Sequence, residues 1–251
     1  MKSFLAAIQF LTVIPFPKAL VMGEKELERS IVFFPAVGLL IGMMAAILGY
    51  AADYFLPSFP ACITIIIFLI AVSGGLHMDG LADAADGFFS ARPRQRILEI
   101  MKDSHIGVMG VIAVVCVIML KFSLLVSVPH SLRLNVIFLM PLAGRCALVA
   151  MMTCLPYVRK EGGLATLFDG KRSWIHGIVA VFFLVIAGVL AAQWMGLAVG
   201  VVTLAVTALF SLFSYRKIGG YTGDTLGAVC EIAEIIPVLV AVAWNHHRYA
   251  V

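Results

Sequence analysis

The stretch GGLHMDGLADAADGFF, residues 74–89, decides how this chain is interpreted. It places Asp79, Asp83 and Asp86 in a sequence that is otherwise strongly apolar, and an acidic cluster beside membrane-spanning segments predicts a functional site. If the stretch is helical, spacings of four and three residues put the carboxylates on one face, about one turn apart. Hard oxygen ligands in that arrangement could hold Mg2+, and a cation between them would relieve the repulsion of like charges.

The composition predicts an all-α, polytopic integral membrane protein. The chain has 251 residues, of which 62% are hydrophobic and 13% charged, and its mean hydropathy is +1.06. Apolar runs, most of them close to the ~20 residues that a spanning helix needs, lie near residues 31–52, 61–76, 106–128, 134–155, 174–192, 197–213 and 226–244. We therefore expect a single transmembrane domain over residues 1–251, with about seven spans.

The distribution of Lys and Arg predicts the orientation, because these residues accumulate in cytoplasmic loops. If the first span starts on the cytoplasmic side, the outer side keeps only Arg133 and Arg248. The same assignment places Asp79 and its neighbours, together with Asp224, at or near the cytoplasmic face. The candidate site residues are therefore expected together at the cytoplasmic face.

The amino-terminal run over residues 4–16 follows Lys2 and resembles the apolar region of a signal peptide. It ends in Pro15 and Pro17, without a small-residue cleavage pattern. We interpret it as an interfacial or re-entrant helix.

Neither the cysteines nor the net charge points to another class of protein. The five cysteines are scattered without a CxxC pair, so packing is the favoured interpretation over a zinc site or a disulfide framework. The formal charge of +4 is explained by cytoplasmic loops beside anionic lipid. We expect the lipid bilayer as a partner and no nucleic acid.

A second polar segment, GGYTGDTLGAVCEIAE over residues 219–234, repeats the first in outline. Setting Gly74 on Gly219 aligns Asp79 with Asp224, and Asp86 with Glu231. Each copy also follows a span that runs from outside to inside. A parallel internal repeat would build a shared site from two half-sites, although glycine pairs before loops are common enough for coincidence to remain the alternative.

Two acidic clusters with glycines and basic residues on one face suit phosphoryl transfer from a pyrophosphate. Carboxylates hold metal ions that bridge phosphate oxygens, while Lys or Arg neutralises the charge that develops in the transition state. The segment KDSHIG supplies Lys102 and Asp103 at the mouth of the next span. His77 and His105 could accept a proton from an attacking hydroxyl, although a hydrogen-bonded structural role for His77 stays open.

Two cations lie inside apolar runs. Lys121 is near the outer end of its segment, so we expect it to snorkel to the interface. Arg145 is nearer the middle of its span. It could pair with an acid from a neighbouring helix or reach a substrate phosphate.

These motifs together resemble the cobalamin synthases, also called adenosylcobinamide-GDP ribazoletransferases. The resemblance extends over nearly the whole chain and rests on FLTVIPFP, FPAVGLLIG, GGLHMDGLADAADGFFSAR, LEIMKDSHIGVMG and GGYTGDTLGAVCEIAE. The long acidic motif is the specific one. The resemblance implies a multi-pass enzyme of the cell inner membrane, with its active site toward the cytoplasm, that acts at the last stage of cobalamin assembly. It implies that adenosylcobinamide-GDP is joined to α-ribazole, or to its 5'-phosphate, with release of GMP and a requirement for Mg2+.

With this resemblance the candidate residues take roles. The expected metal ligands are Asp79, Asp83, Asp86, Asp224 and Glu231. The expected catalytic residues are His77, Lys102, Asp103 and Arg145. The expected substrate-binding residues are Arg92, His105, Arg159, Lys160, Thr222 and Glu234.

One position departs from the family pattern. His105 stands where the family segment is KDSRIG or RDSRLG, and a neutral imidazole cannot replace a bidentate guanidinium. Phosphate binding at this position is therefore in doubt.

Two alternative functions and the oligomeric state are left open. Another metal-dependent membrane transferase, of the CDP-alcohol phosphotransferase or prenyltransferase kind, also carries acidic motifs at the cytoplasmic face, but neither DGxxAR nor DDxxD is found here. A transporter would bind its ion through acids at the midplane, whereas these acids are predicted at a membrane edge. The glycines of the spans would also allow a homo-oligomer.

Overall fold

The computed structural model describes residues 2–15, 23–159 and 173–249. Its helices are α1 (Lys2–Leu11), α2 (Glu24–Glu28), α3 (Phe34–Phe55), α4 (Ser58–Val72), α5 (Leu76–Phe88), α6 (Arg94–Ile100), α7 (Val108–Ser127), α8 (His130–Cys154), α9 (Trp174–Ile218) and α10 (Gly223–Tyr249). A short 3-10 turn, Ile31–Phe33, leads into α3.

The predicted all-α, polytopic class is confirmed. In the described part of the chain, 5 helices are long and apolar enough to cross a membrane, or 6 if the bent pair of α4 and α5 is counted as one span. Of these, α8 and α10 are largely buried by other helices, whereas most residues of α7 and α9 are exposed or only partly buried. The core of the bundle therefore lies around α8 and α10, with α7 and α9 toward the lipid.

The longest helix, α9, is two antiparallel helices joined by a tight turn. Ala192 and Gln193 have non-helical backbone angles, and a Cβ on Gly188 would lie 2.6 Å from the carbonyl oxygen of Gly196. Residues eight apart in a straight helix are separated by about 12 Å, so the chain must fold back here. The two halves coincide with the separate runs 174–192 and 197–213 of the sequence, and counting them as two passes gives the expected seven.

The amino-terminal helix packs across the ends of the spans. Its 10 residues are too few to cross a bilayer, and it ends at Leu11, before the end of the apolar run. Leu11 is fully buried, the ring of Phe10 stacks on that of Phe34 at 5.7 Å, and the N–H of Val13 donates to the carbonyl of Val72 at 2.9 Å. These contacts bring α1 beside the bend between α4 and α5.

Six exposed aromatic side chains lie at the end of the bundle away from α5. They are Tyr50, Tyr54, Phe55, Phe59, Trp194 and Trp244, which connectivity places at the ends of α3 and α10, the start of α4 and the turn of α9. Rings of this kind mark a membrane interface.

Candidate active site

The acidic segment is a helix, α5, set at a sharp angle to the preceding span. α4 and α5 are bent by 85°, and the turn between them contains Gly74 at φ 62 and Gly75 at φ 74. Left-handed angles of this kind are adopted readily by glycine and at a cost by other residues. The glycine pair therefore turns the chain out of α4 and places His77 and Asp79 in the first turn of α5.

Helix α5 crosses α10 through glycines, and this crossing assembles the acids. A Cβ on Gly80 would lie 2.9 Å from the carbonyl oxygen of Asp224, and one on Gly227 would lie 3.0 Å from Gly80 Cα. The backbones can approach this closely because neither residue has a side chain. Asp83 consequently interacts electrostatically with Asp224 as well as with Asp79, its neighbour on α5.

The start of α10 holds Asp224 in a fixed position. The hydroxyls of Thr222 and Thr225 each accept a hydrogen bond from the other residue's N–H, at 3.2 and 2.9 Å, which is a reciprocal helix cap. The Thr222 hydroxyl also donates to Asp224 Oδ2 at 3.2 Å. The guanidinium of Arg159 donates to the same oxygen, and to the carbonyl of Met101 at 3.2 Å. The structure thus joins Thr222, Arg159 and Asp224, all of which were predicted at the site.

Asp86 was predicted as a metal ligand, but in the structure both of its carboxylate oxygens accept hydrogen bonds from backbone N–H groups. Its Oδ2 accepts a hydrogen bond from the N–H of Gly107 at 2.6 Å, and its Oδ1 accepts one from the N–H of Gly110 at 2.8 Å. Both oxygens therefore cap the start of α7, where backbone N–H groups lack helical partners. A Cβ on Gly107 would lie 2.4 Å from Oδ1, and one on Gly110 would lie 2.5 Å from Oδ2, so the cap needs both glycines.

A buried ion network lies between α7, α8 and α10. Lys121 Nζ donates to Glu231 Oε2 at 2.6 Å and to Glu234 Oε2 at 2.7 Å, and Arg145 pairs with Oε1 of Glu234. Two cations and two carboxylates balance each other there. The expectation that Lys121 snorkels to the interface is wrong, because its side chain is only 3% exposed and faces the two carboxylates of α10.

This network determines where three of the predicted site residues lie. Glu231 was predicted as a metal ligand, Glu234 as a substrate ligand, and Arg145 as a cation that either pairs with an acid or reaches a phosphate. The structure has Arg145 pairing with an acid, and both glutamates hold cations of the protein. All three residues are buried, and none of them lines the cavity described next.

A cavity of about 240 Å3 lies between α5 and α10. Its walls include the aromatic side chains of Phe10, Phe34 and Tyr157, and its polar lining is His77, Asp79, Asp224 and Arg159. His77 is 4% exposed, and its Nε2 has no hydrogen-bond partner within the described part of the chain. The charged groups that act on its ring are Arg145, Glu234 and Lys121 of the buried ion network.

Comparison with known proteins supplies the family. The model of the cobalamin-5-phosphate synthase family matches residues 3–242. The chain belongs to this family.

Curated members of the family are similar over almost their whole length. A protein of Clostridium novyi (strain NT) is 35% identical over 245 residues, which is 98% of each chain. A protein of Desulforamulus reducens is 38% identical over 232 residues, 91% of each chain, and one of Acetivibrio thermocellus is 38% identical over 235 residues, 92% of this chain and 94% of its own. Each of these is named adenosylcobinamide-GDP ribazoletransferase. No solved structure matches this family member.

The carboxylates of this family member are oxygen ligands of the type that Mg2+ prefers, but those in the described part of the chain do not form a complete binding site by themselves. Across the described residues, no group of three or more His, Cys, Asp or Glu side chains is arranged to hold a metal ion. Mg2+, however, keeps several waters and is usually bound by one or two carboxylates together with substrate phosphates. Asp79, Asp83 and Asp224 meet that requirement, and the requirement for Mg2+ stays a prediction.

The basic segment after α5 lies apart from the cavity. Arg92, Lys102, Asp103 and His105 are exposed, and none of them lines the cavity between α5 and α10. Nδ1 of His105 lies 2.7 Å from Asp103 Oδ1, and this hydrogen bond lowers the pKa of the Asp103 carboxyl. The predicted roles of these four residues stay untested, and Lys160 lies outside the described residues.

The proposed repeat stays a prediction. α5 and α10 both follow a glycine with positive φ, Gly74 and Gly219, and both carry an acid in the first turn. The acids seven residues further on contact α7 in each case, but Asp86 binds backbone N–H groups and Glu231 binds Lys121.

Several residues at the site could not be found from sequence patterns. Phe10 of α1 and Tyr157 after α8 line the cavity, yet both lie in apolar or loop segments without a distinguishing motif. Lys121 did carry a signal, because two glutamates three residues apart inside an apolar helix require a cation nearby.

Proposed function

We propose that this chain transfers the adenosylcobinamide-phosphate group of adenosylcobinamide-GDP to α-ribazole or α-ribazole 5'-phosphate, with release of GMP. This is the last stage of nucleotide loop assembly in cobalamin biosynthesis. The family match and the names of the relatives support the reaction. The structural observation that carries it is the meeting of Asp79 and Asp83 with Asp224 beside an aromatic-walled cavity.

The reaction is a displacement at the phosphorus that bears the cobinamide group. An oxygen of the ribazole forms the new bond, the bond to the bridging oxygen breaks, and that oxygen leaves with GMP. The family name describes a product that keeps a 5-phosphate. The attacking oxygen is therefore a ribose hydroxyl that both acceptors share, and it must lose its proton.

Residues that line the cavity, together with Asp83 beside it, have separate roles. Asp79, Asp83 and Asp224 would hold Mg2+ against the pyrophosphate oxygens, where the ion would offset the charge that develops on them. Arg159, steadied by the carbonyl of Met101, neutralises charge on the departing phosphate. His77, which lines the cavity, would accept the hydroxyl proton.

The chemistry takes place at the cytoplasmic face of the inner membrane. The bend after α4, the start of α10 and Arg159 all lie at the end of the bundle that carries most of the basic loop residues. The positive-inside rule assigns that end to the cytoplasm. Phosphorylated substrates made in the cytoplasm would reach the site there.

The first test is GMP release by detergent-purified protein given adenosylcobinamide-GDP and Mg2+, with and without α-ribazole, together with mass detection of the corrinoid product. Ribazole-dependent GMP with a matching corrinoid is expected. Folded protein that releases no GMP with either acceptor would refute the transferase. Such a result would favour another pyrophosphate-dependent membrane transferase, since the carboxylates of the site would remain.

A further inference from the structure

Asp79 borders two cavities, one on each side of α5. The first is the cavity of about 240 Å3 between α5 and α10. The second, of about 680 Å3, lies between α5 and α7 and is lined by Val13, Ala82, Ile106 and Val114. Phe10, Leu76 and Asp79 line both and form the partition between them.

The two cavities differ in size and in access. Drug-sized ligands occupy pockets of about 300 to 1,000 Å3, so the smaller cavity suits a nucleoside and is too small for a corrinoid ring. The larger one is bordered by exposed apolar side chains, with Val13 at 60% and Ile106 at 57% exposure. A bulky ring could therefore lie partly outside it, against the lipid headgroups.

The lining of the smaller cavity also matches a nucleoside. Phe10, Phe34 and Tyr157 line its wall, and nucleic-acid bases stack favourably on aromatic side chains. Its polar lining includes His77 and Asp224, which are groups of the kind that bind ribose hydroxyls. The base would bind the apolar wall and the sugar would face the acids.

We infer that the two substrates reach Asp79 from the two sides of α5, with the ribazole nucleoside between α5 and α10 and the corrinoid part of the donor between α5 and α7. This inference rests on the proposed function and assigns its two substrates to separate sites. In-line transfer requires the attacking and leaving oxygens to lie on opposite sides of the phosphorus. GMP is the leaving group and the corrinoid stays bonded to the phosphorus, so the corrinoid lies beside the line of attack. Two cavities that flank one carboxylate keep the acceptor and the corrinoid apart.

The test fills each cavity separately. A Cβ on Gly223, which lines the smaller cavity, would have no atom within 4 Å, so a side chain can begin there without displacing a neighbour, and Gly223→Leu extends it into the cavity. Val114 lines the larger cavity, and the next residue, Val115, is 48% exposed and lines neither cavity. Val114→Phe and Val115→Phe therefore form a matched pair of test and control. Gly223→Ala places a smaller side chain at the same position as Gly223→Leu, so the two variants show how the effect depends on size.

The measurements are the KM of each substrate in GMP release and the equilibrium binding of α-ribazole without donor. Gly223→Leu should raise the KM for α-ribazole and weaken its binding by roughly tenfold or more, the scale on which a superfluous group in an apolar pocket acts, with a smaller effect from alanine. Val114→Phe should raise the KM for the donor and leave ribazole binding unchanged. Val115→Phe should change neither constant.

The inference is overturned if Gly223→Leu raises the KM of the donor instead, or if both cavity variants affect both substrates alike. If the wild-type protein releases no GMP at all, the proposed function itself is refuted. Failure of the site assignment and failure of the proposed function therefore give different results. If Gly223→Leu does not fold, Gly223→Cys gives a second measurement through alkylation of that thiol, followed by mass spectrometry of its peptide. α-Ribazole should slow this alkylation, and protection by the donor alone would contradict the assignment.

Discussion

Gly80 of α5 and Gly227 of α10 bring two helix backbones into direct contact. A Cβ on Gly227 would lie 3.0 Å from Gly80 Cα and 2.9 Å from the carbonyl oxygen of His77. The contact is made one turn from Asp224, and it places the acids of two distant chain segments in one site. The distance between the acids therefore depends on two residues that have no side chains.

The first prediction is that Gly227→Ala impairs catalysis more than it impairs folding. The added methyl group forces the helices apart, at a cost of about 1 to 3 kcal/mol for overpacking, and moves Asp224 away from Asp79. GMP release and the thermal midpoint in detergent should be measured on the same preparation. Gly200→Ala is the control, since its Cβ would meet only ordinary contacts at 3.6 and 4.0 Å. Full activity of Gly227→Ala would contradict this account of the crossing.

The second prediction concerns the buried ion network. Lys121→Met leaves Glu231 and Glu234 with Arg145 as the remaining cation, so one buried carboxylate loses its partner. Removing one member of a buried pair destabilises by roughly 3 to 5 kcal/mol. The thermal midpoint in detergent should therefore fall.

The double variant provides the control for this prediction. Adding Glu231→Gln to Lys121→Met restores the charge balance, and much of the lost stability should return, because the two residues act as one unit. If Lys121→Met alone is as stable as the wild type, the network does not form in the folded protein.

The third prediction separates two aspartates three residues apart on α5. Asp83→Asn should lower GMP release by about tenfold or more, as loss of a metal partner does, with little change in thermal midpoint. Asp86→Asn should instead lower the midpoint, because an amide offers one acceptor oxygen where Asp86 serves two N–H groups. The cap at the start of α7 would lose about 0.5 to 2 kcal/mol. If both substitutions lower the thermal midpoint equally, Asp83 and Asp86 do not have separate roles. If GMP release depends less on added Mg2+ in Asp86→Asn than in Asp83→Asn, the separate roles are supported.

Local features of the site could be predicted from the sequence because each has a local cause. The helix over the acidic motif follows from its spacing, and the turn before it follows from Gly74 and Gly75, which alone accept such angles easily. The two halves of α9 were expected as separate spans because apolar runs have a length limit. Asp224 was found through its likeness to Asp79.

Long-range contacts could not be predicted, because periodicity does not say which helices meet. Lys121 was expected at the interface, since its position along α7 was known but not the face that α10 covers. The two oxygens of Asp86 were assigned to a metal because nothing in the motif reveals that Gly107 and Gly110 approach from another segment. The aromatic wall contributed by Phe10 was missed for the same reason.

The fourth prediction tests the turn that divides α9. Gln193 has φ 49 and ψ −125, a combination that a side chain disfavours and that costs about 1 to 3 kcal/mol. Gln193→Gly removes this strain, and although glycine loses more conformational entropy on folding, the thermal midpoint should rise. Activity should stay unchanged, because Gln193 lies at the end of the bundle away from Asp79. Gln193→Val, whose branched side chain worsens the strain, should lower the midpoint, and a stabilising valine would show that α9 continues as one helix through residue 193.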